Sequence, residues 1–261
     1  MTIMKHELRQ GLIPFAVWTG SIAFLMMVCV FLFPEMKDEM GSVGNIFASM
    51  GSFTAAFGMD RLNFGTLTGF YAIECGNIMG LGGAFFASLA GIAAISREER
   101  DRTAEFLLTH PVSRTRVITE KLAAVMAQIV CMNAIIIALS LVSMALIGES
   151  IPWKDILLMH MAYFIMQAEL ASVCFGISAF MRRGGIGIGL GLAAMMYFLN
   201  IIANMTQSMD FLKYITPFGY CEGADIISGG KLDFPMVLTG VLFGVSGICA
   251  AYAKYRIKDI Q

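Results

Sequence analysis

The chain has 261 residues, of which 57% are hydrophobic and only 14% charged, against roughly 25% charged in an ordinary soluble domain. So few charges cannot coat a soluble core of this size, and a mean hydropathy of +0.74 excludes a soluble globular protein. The net charge of −1 says little about partners; the distribution of charge, in short clusters between long uncharged runs, says more.

The chain opens on residues 1–13, where Met4, Leu8 and Leu12 repeat every fourth position beside Lys5, His6, Glu7, Arg9 and Gln10. This spacing predicts an amphipathic interfacial helix, broken or kinked by Pro14; a first span with an early polar start fits the same pattern. A helix crosses the hydrocarbon core in about 20 apolar residues. Six stretches qualify: 12–33, 76–95, 122–148, 156–181, 184–209 and 234–253. The first run is too long for a secretory signal and lacks a small-residue cleavage site, so it reads as a retained helix. The expected architecture is a single all-α transmembrane domain over residues 1–261, with the interfacial helix in front and six membrane helices behind it.

Basic residues are retained on the cytoplasmic side of a membrane. With six spans, both termini share one side. That side collects most of the Lys and Arg, leaving only Lys37, Arg61, Lys154, Lys213 and Lys231 of the 18 basic residues opposite. Both termini are therefore expected in the cytoplasm of a multi-pass cell-membrane protein. The outer loops carry Glu35, Asp38, Glu39, Asp60, Asp210, Glu222, Asp225 and Asp233, read as a solvated face, with a cation-binding vestibule as the other reading. The outer segment 34–71 is long, weakly apolar and rich in Gly, Phe and Met, and its conformation is left open.

Residues 96–121 carry the sharpest signal. A charged stretch containing Glu98 and Glu99 leads into Thr103, Glu105, Phe106, Leu107 and Leu108; Pro111 stops this short helix and Ser113 is placed to cap the next. Three adjacent bulky apolar residues among charges have no core of their own and must pack on lipid headgroups, on the ends of neighbouring spans or on another protein.

Within the spans, Glu169 is the one deep carboxylate. Charged burial costs at least ~2.5 kcal/mol, so it must be protonated, hydrogen-bonded or facing a polar cavity. Asn133 lies at a similar depth, about 17 Å from the cytoplasmic side at about 1.5 Å per residue, and an interhelical hydrogen bond between the two is the leading reading; a substrate or proton role is the alternative. Asn200 and Asn204, one turn apart, either line a pathway or bridge helices. Gly185, Gly187, Gly189 and Gly191 form two overlapped GxxxG patterns suited to close helix approach. His160 stands without a second ligand, no CxxC occurs among the six Cys residues, and the 21 Met residues read as core filler rather than a metal relay. No cofactor or metal site is expected in this chain, and nucleic acid is not an expected partner.

The segment 98–121 resembles the cytosolic loop of type-two ABC exporter permeases. Glu98-Glu99, Thr103, Glu105, Leu107-Leu108, Pro111-Val112-Ser113-Arg114 and Lys121 match the consensus; Arg102 departs from it, standing where the family usually has Gly. Thr216-Pro217-Phe218-Gly219-Tyr220 and the closing 255–260 resemble the same family more weakly. The resemblance implies a permease subunit that exports an unknown substrate, paired with a second permease chain, identical or related, and surrounded by lipid. It also implies a separate ATP-binding cassette subunit that holds ATP and Mg. The helix at 103–110 would be the coupling helix, with Phe106, Leu107 and Leu108 as anchors and Glu98, Glu99, Glu105 and Arg114 as rim contacts. Consistently, Gly229-Gly230-Lys231 lacks the GxxxxGK[ST] pattern of a phosphate-binding loop, so the chain is not expected to be an enzyme. Glu98-Glu99 also approaches the signature of a membrane protease, but Thr103 stands where that signature needs Arg, and no GxSxG occurs. The competing function class is an ion-coupled secondary carrier or channel, which usually shows several intramembrane charges or an internal repeat.

Overall fold

A computed structural model describes residues 2–49, 51–100, 112–181 and 185–257. Those residues form helices, turns and loops and contain no strand. A short helix α1 (Thr2–Gln10) is followed by α2 (Leu12–Ser49), the short α3 (Ser52–Ala56) and α4 (Leu67–Phe70), a π-helical turn over Tyr71–Cys75 and α5 (Gly76–Arg100). The long helices α6 (Arg114–Leu146), α7 (Trp153–Ser178) and α8 (Ile186–Met205) come next. Two 3₁₀ turns (Gln207–Tyr214 and Gly219–Cys221), the short α9 (Gly223–Gly229) and α10 (Phe234–Ile257) complete the chain. Among the described residues, six helices are long and apolar enough to cross a membrane: Leu12–Lys37, Leu67–Arg97, Arg114–Leu146, Trp153–Ser178, Ile186–Met205 and Phe234–Ile257.

The break between α1 and α2 falls at Gly11, not at Pro14. Pro14 sits in the first turn of α2, where a missing N–H leaves no intrahelical bond unmade. Ile3, Met4, Glu7 and Leu8 face the protein while Lys5, His6, Arg9 and Gln10 are exposed, the two-sided pattern of an amphipathic helix. The sequence reading closed the first span at Phe33, but α2 runs through Pro34 as far as Ser49. Part of the undecided outer segment thus continues a span, and the rest, from α3 to the π turn, folds back against the bundle.

The second and fourth spans are central, each burying 61% of its apolar window within the chain, whereas the last buries 17%. In lipid, helix association rests on close backbone approach rather than on hydrophobic driving force, and the central helix α7 shows this on two sides. A Cβ on Gly91 of α5 would stand 2.3 Å from the Ala171 carbonyl oxygen, and one on Gly176 would stand 2.6 Å from the Gly247 carbonyl oxygen of α10. On α8, Gly185 and Gly189 meet Ile92 of α5, while Gly187 and Gly191 have nothing within 4 Å. One GxxxG pattern therefore serves the fold and the other faces outward. Large apolar side chains such as Phe24, Leu146, Phe198 and Phe234 stay exposed, as expected of surfaces that meet lipid or another chain.

Candidate coupling base and buried polar sites

Helix α1 and the last described turn of α10 meet at one end of the bundle, at the start of α6. Ser113 adopts an extended backbone and its hydroxyl accepts the Arg116 N–H, capping the helix. Arg114 then reaches across to donate to the carbonyls of Tyr255 (3.3 Å) and Arg256 (3.4 Å). These carbonyls belong to the last described turn of α10. One turn further, Glu120 accepts the backbone N–H groups of Ile3 (3.0 Å) and Met4 (3.1 Å), which caps α1 from outside the helix, while Arg116 holds its other oxygen at 3.0 Å. Lys121 is 1% exposed; it donates to Glu7 of α1 at 2.6 Å and to the Ala94 carbonyl of α5 at 2.8 Å. Thr119 and Tyr252 share a hydrogen bond at 2.7 Å. The first two turns of α6 are thus pinned to α1, α5 and α10 at once.

Of the residues expected to form the coupling segment, Arg114 belongs to this base. Thr103, Glu105, Phe106, Leu107, Leu108 and Pro111, and the side chains of Glu98 and Glu99, lie outside the described residues. The segment that leaves α5 and returns at Ser113 nevertheless enters the structure where these ties converge.

The intramembrane polar residues are placed differently from the sequence reading. Asn133 and Glu169 do not pair. Asn133 donates to Gln167 of α7 at 2.6 Å, and Glu169 accepts the hydroxyl of Tyr220 at 2.7 Å. The reason is geometric: Gln167 and Glu169 are two positions apart, and residues so spaced do not share a helix face. Gln167 turns toward α6, and Glu169 turns toward α10 and the segment before it. A Cβ on Gly240 would meet Glu169 Oε2 at 2.2 Å, so the absence of a side chain there makes room for the carboxyl. Tyr220 closes the Thr216–Tyr220 stretch, read from sequence as part of an outer loop. The stretch is buried, with the Thr216 hydroxyl donating to the Met196 carbonyl at 2.8 Å. Burial lifts the Tyr220 phenol far above its ordinary value, keeping it a donor. His160 shares a hydrogen bond of 2.8 Å with Tyr71.

Asn200 and Asn204 border a second polar site near the opposite end of the bundle. Asn204 donates to Glu222 Oε2 at 2.9 Å. The sequence reads Glu222 as part of a solvated outer face; it is half-buried beneath the α3 corner. Gly58, with φ of +68°, lies so close that a Cβ would stand 2.2 Å from Glu222 Oε1. Burial pushes the Glu222 carboxyl above the usual carboxylate range, against the opposing pull of the Asn204 hydrogen bond and the Arg61 charge. Arg61 itself pairs with exposed Asp225. Glu222 lines a cavity of about 50 Å³ together with Asn77, Asn200, Tyr163, Tyr197 and Phe218. No signal in the sequence marked Glu222 apart from its acidic neighbours; Gln167 carried one, as an amide deep within a span.

The family model for ABC-2 family transporter proteins matches residues 1–225. The chain belongs to that family. Among curated proteins, no match is found. As an ABC-2 permease, the chain is a membrane subunit and is not itself catalytic. The match spans the base built by α1, α5 and α6, the buried Glu169–Tyr220 pair and the Glu222 cavity. Among the described residues, no group of three or more His, Cys, Asp or Glu side chains is placed to hold a metal ion.

Proposed function

We propose that this ABC-2 permease is the transmembrane subunit of an ATP-driven exporter, powered by a separate ATP-binding cassette subunit that docks on residues 103–110. One observation carries the reading. The helix that follows this segment is tied within two turns to α1 through Glu7–Lys121, to α5 through the Ala94 carbonyl and to α10 through Arg114. A push delivered at the start of α6 therefore bears on four helices. Phe106, Leu107 and Leu108 are the apolar anchors of such a contact, and Glu98, Glu99, Glu105 and Arg114 its rim, which governs partner choice more than affinity. The base lies in the cytoplasm together with both termini, and Glu222 lies toward the outer face. A second permease chain, identical or related, completes the pathway. The outward-facing Gly187 and Gly191 of α8 and the sparsely covered α10 supply surface for it.

The test is purification of the C-terminally tagged chain from its own host in mild detergent, with mass spectrometry of what accompanies it. An ATP-binding cassette subunit near one-to-one, lost when Phe106, Leu107 and Leu108 are changed to Asp, is the expected result. Its absence across several detergents refutes the reading and leaves an ion-coupled carrier or channel in its place.

A further inference from the structure

Two cysteines from distant parts of the chain are brought together between the first and second spans. Cys29 lies in α2 about two turns short of Lys37, where the first span ends, and Cys75 closes the π turn about two turns beyond Leu67, where the second begins. Both therefore stand about 12 Å from the same end of the bundle at about 1.5 Å per residue, and the antiparallel helices carry them level. The Cys75 thiol is 0% exposed and is turned onto α2, donating to the Met26 carbonyl at 3.9 Å. Met26 and Cys29 are three positions apart and share a helix face, and the Cys75 thiol is also in hydrogen-bonding contact with that of Cys29. A π turn holds one residue more than an α turn, about 100° of rotation, so the turn that ends at Cys75 sets which neighbour this thiol faces. Nearer the same end, the rings of Phe33 and Phe70 pack across the two spans at 5.3 Å. The backbones are thus already held together beside the thiol pair.

We propose that Cys29 and Cys75 form a modification site, a dithiol that closes reversibly to a disulfide and staples the first span to the second. The electron acceptor is a disulfide, RSSR, either a small apolar one or that of an exchange protein. Cys29 is half-buried while Cys75 is fully enclosed, which fixes the order of attack. The Cys29 sulfur gives up its proton and attacks RSSR, forming a mixed disulfide and releasing one RSH. The Cys75 sulfur then gives up its proton, attacks the Cys29 sulfur and releases the second RSH. Two protein thiols lose two electrons, RSSR becomes two thiols, and both protons leave with them. Sulfurs in hydrogen-bonding contact need to close by only about 2 Å to reach bonded separation. The staple joins a lightly covered helix, which buries 28% of its apolar window, to a central one that buries 61%. On the orientation proposed above, the pair lies in the outer half of the membrane, towards the compartment where disulfides persist; the exchange itself does not depend on that reading.

The experiment uses the full chain, purified in detergent under a reductant that is then removed, and treated with dithiodipyridine as a small apolar disulfide. Remaining thiols are alkylated and the unreduced peptides are mapped by mass spectrometry. The expected product is a Cys29–Cys75 linked peptide within one chain, lighter by two hydrogens, while Cys131 and Cys249, both exposed, carry single pyridyl adducts. Tm should rise by about 4–16 °C, the scale for one disulfide in a chain of this size, and return on adding a phosphine reductant. Cys29→Ser should lose the rise and Cys131→Ser should keep it. Cys75→Ser alters an enclosed position, so Cys29→Ser is the deciding variant, and the wild-type peptide map stands without either. Pyridyl adducts at Cys29 with no link to Cys75, links between chains only, an unchanged Tm in the linked chain, or an equal rise in Cys29→Ser would overturn the assignment. No ATPase enters the measurement, so its failure and that of the exporter reading are distinguishable.

Discussion

Replacing Lys121 by Met tests whether the start of α6 is held as described. The ammonium is 1% exposed and the facing Glu7 side chain 12% exposed, so little solvent is available to take over either charge. Losing one partner of a buried ion pair costs about 3–5 kcal/mol, because the remaining charge is stranded. Met fills most of the volume of the lysine stem and Glu7 keeps some access to water, which places the expected loss near the lower end, about 3 kcal/mol. At roughly 2–4 °C per kcal/mol for a chain of this size, Tm in detergent should fall by about 6–12 °C, and α1 should become sensitive to protease. Glu7→Leu alone removes the carboxylate that Lys121 meets at 2.6 Å and should also destabilise the chain. The double variant Lys121→Met with Glu7→Leu removes both charges and should recover most of the loss, since apolar replacement of a buried pair is often neutral. A single-variant loss below about 1 kcal/mol, or a double variant no more stable than the worse single, would refute a buried, coupled pair.

Other outcomes follow from the same geometry. Gly176→Leu forces α7 away from the Gly247 backbone and should abolish a monodisperse peak on fluorescence-detected size exclusion, whereas Gly191→Leu, with open space before it, should fold normally. Glu169→Gln keeps an acceptor for Tyr220 and should leave stability and assembly intact, while Glu169→Leu orphans the phenol and should cost about 1–3 kcal/mol in thermal unfolding. Loss of transport in a well-assembled Glu169→Gln would instead give the carboxyl a direct role. For Glu222, burial raises the folded value above the ordinary 4.5, so the folded state holds the proton more tightly than the unfolded chain does. The contribution of this group to stability should be greatest in acid and decline as pH rises from the unfolded carboxyl value through the raised folded one. Glu222→Gln should flatten that part of the Tm–pH curve; an unchanged slope would place the titration elsewhere.

The spans were legible because hydrocarbon leaves a chain few options: every backbone group must be bonded within its helix, and uncharged runs of sufficient length declare themselves. The limits of those runs were less legible. Pro34 and the charged residues after it did not end α2, since one missing hydrogen bond is tolerable in a long helix whose neighbours Val30 and Phe33 are fully buried. Depth along a helix could be counted and placed Asn133 and Glu169 level, but facing direction depends on rotation about the axis, which apolar runs do not fix when the helix is hydrophobic all round. Gln167 and Tyr220 were missed as partners for that reason. Glu222 was misplaced because local composition cannot reveal that α3 and Gly58 fold over it; that contact joins positions more than 160 residues apart.

The two ties made by Arg114 and Lys121 give the bundle the mechanics of a lever. Glu7, Ala94 and α10 form one bonded plate with the foot of α6, and a buried interhelical bond higher on that helix joins Asn133 to Gln167. From Lys121 to Asn133 the helix climbs about 18 Å at about 1.5 Å per residue, which sets the length of the arm. If that amide bond is the fulcrum, a tilt of about 10° swings the plate sideways by about 3 Å, with the long arm about 18 Å below it. The gearing is thus written into where one asparagine sits along a helix, and moving that amide a turn up or down would change the stroke without touching either end.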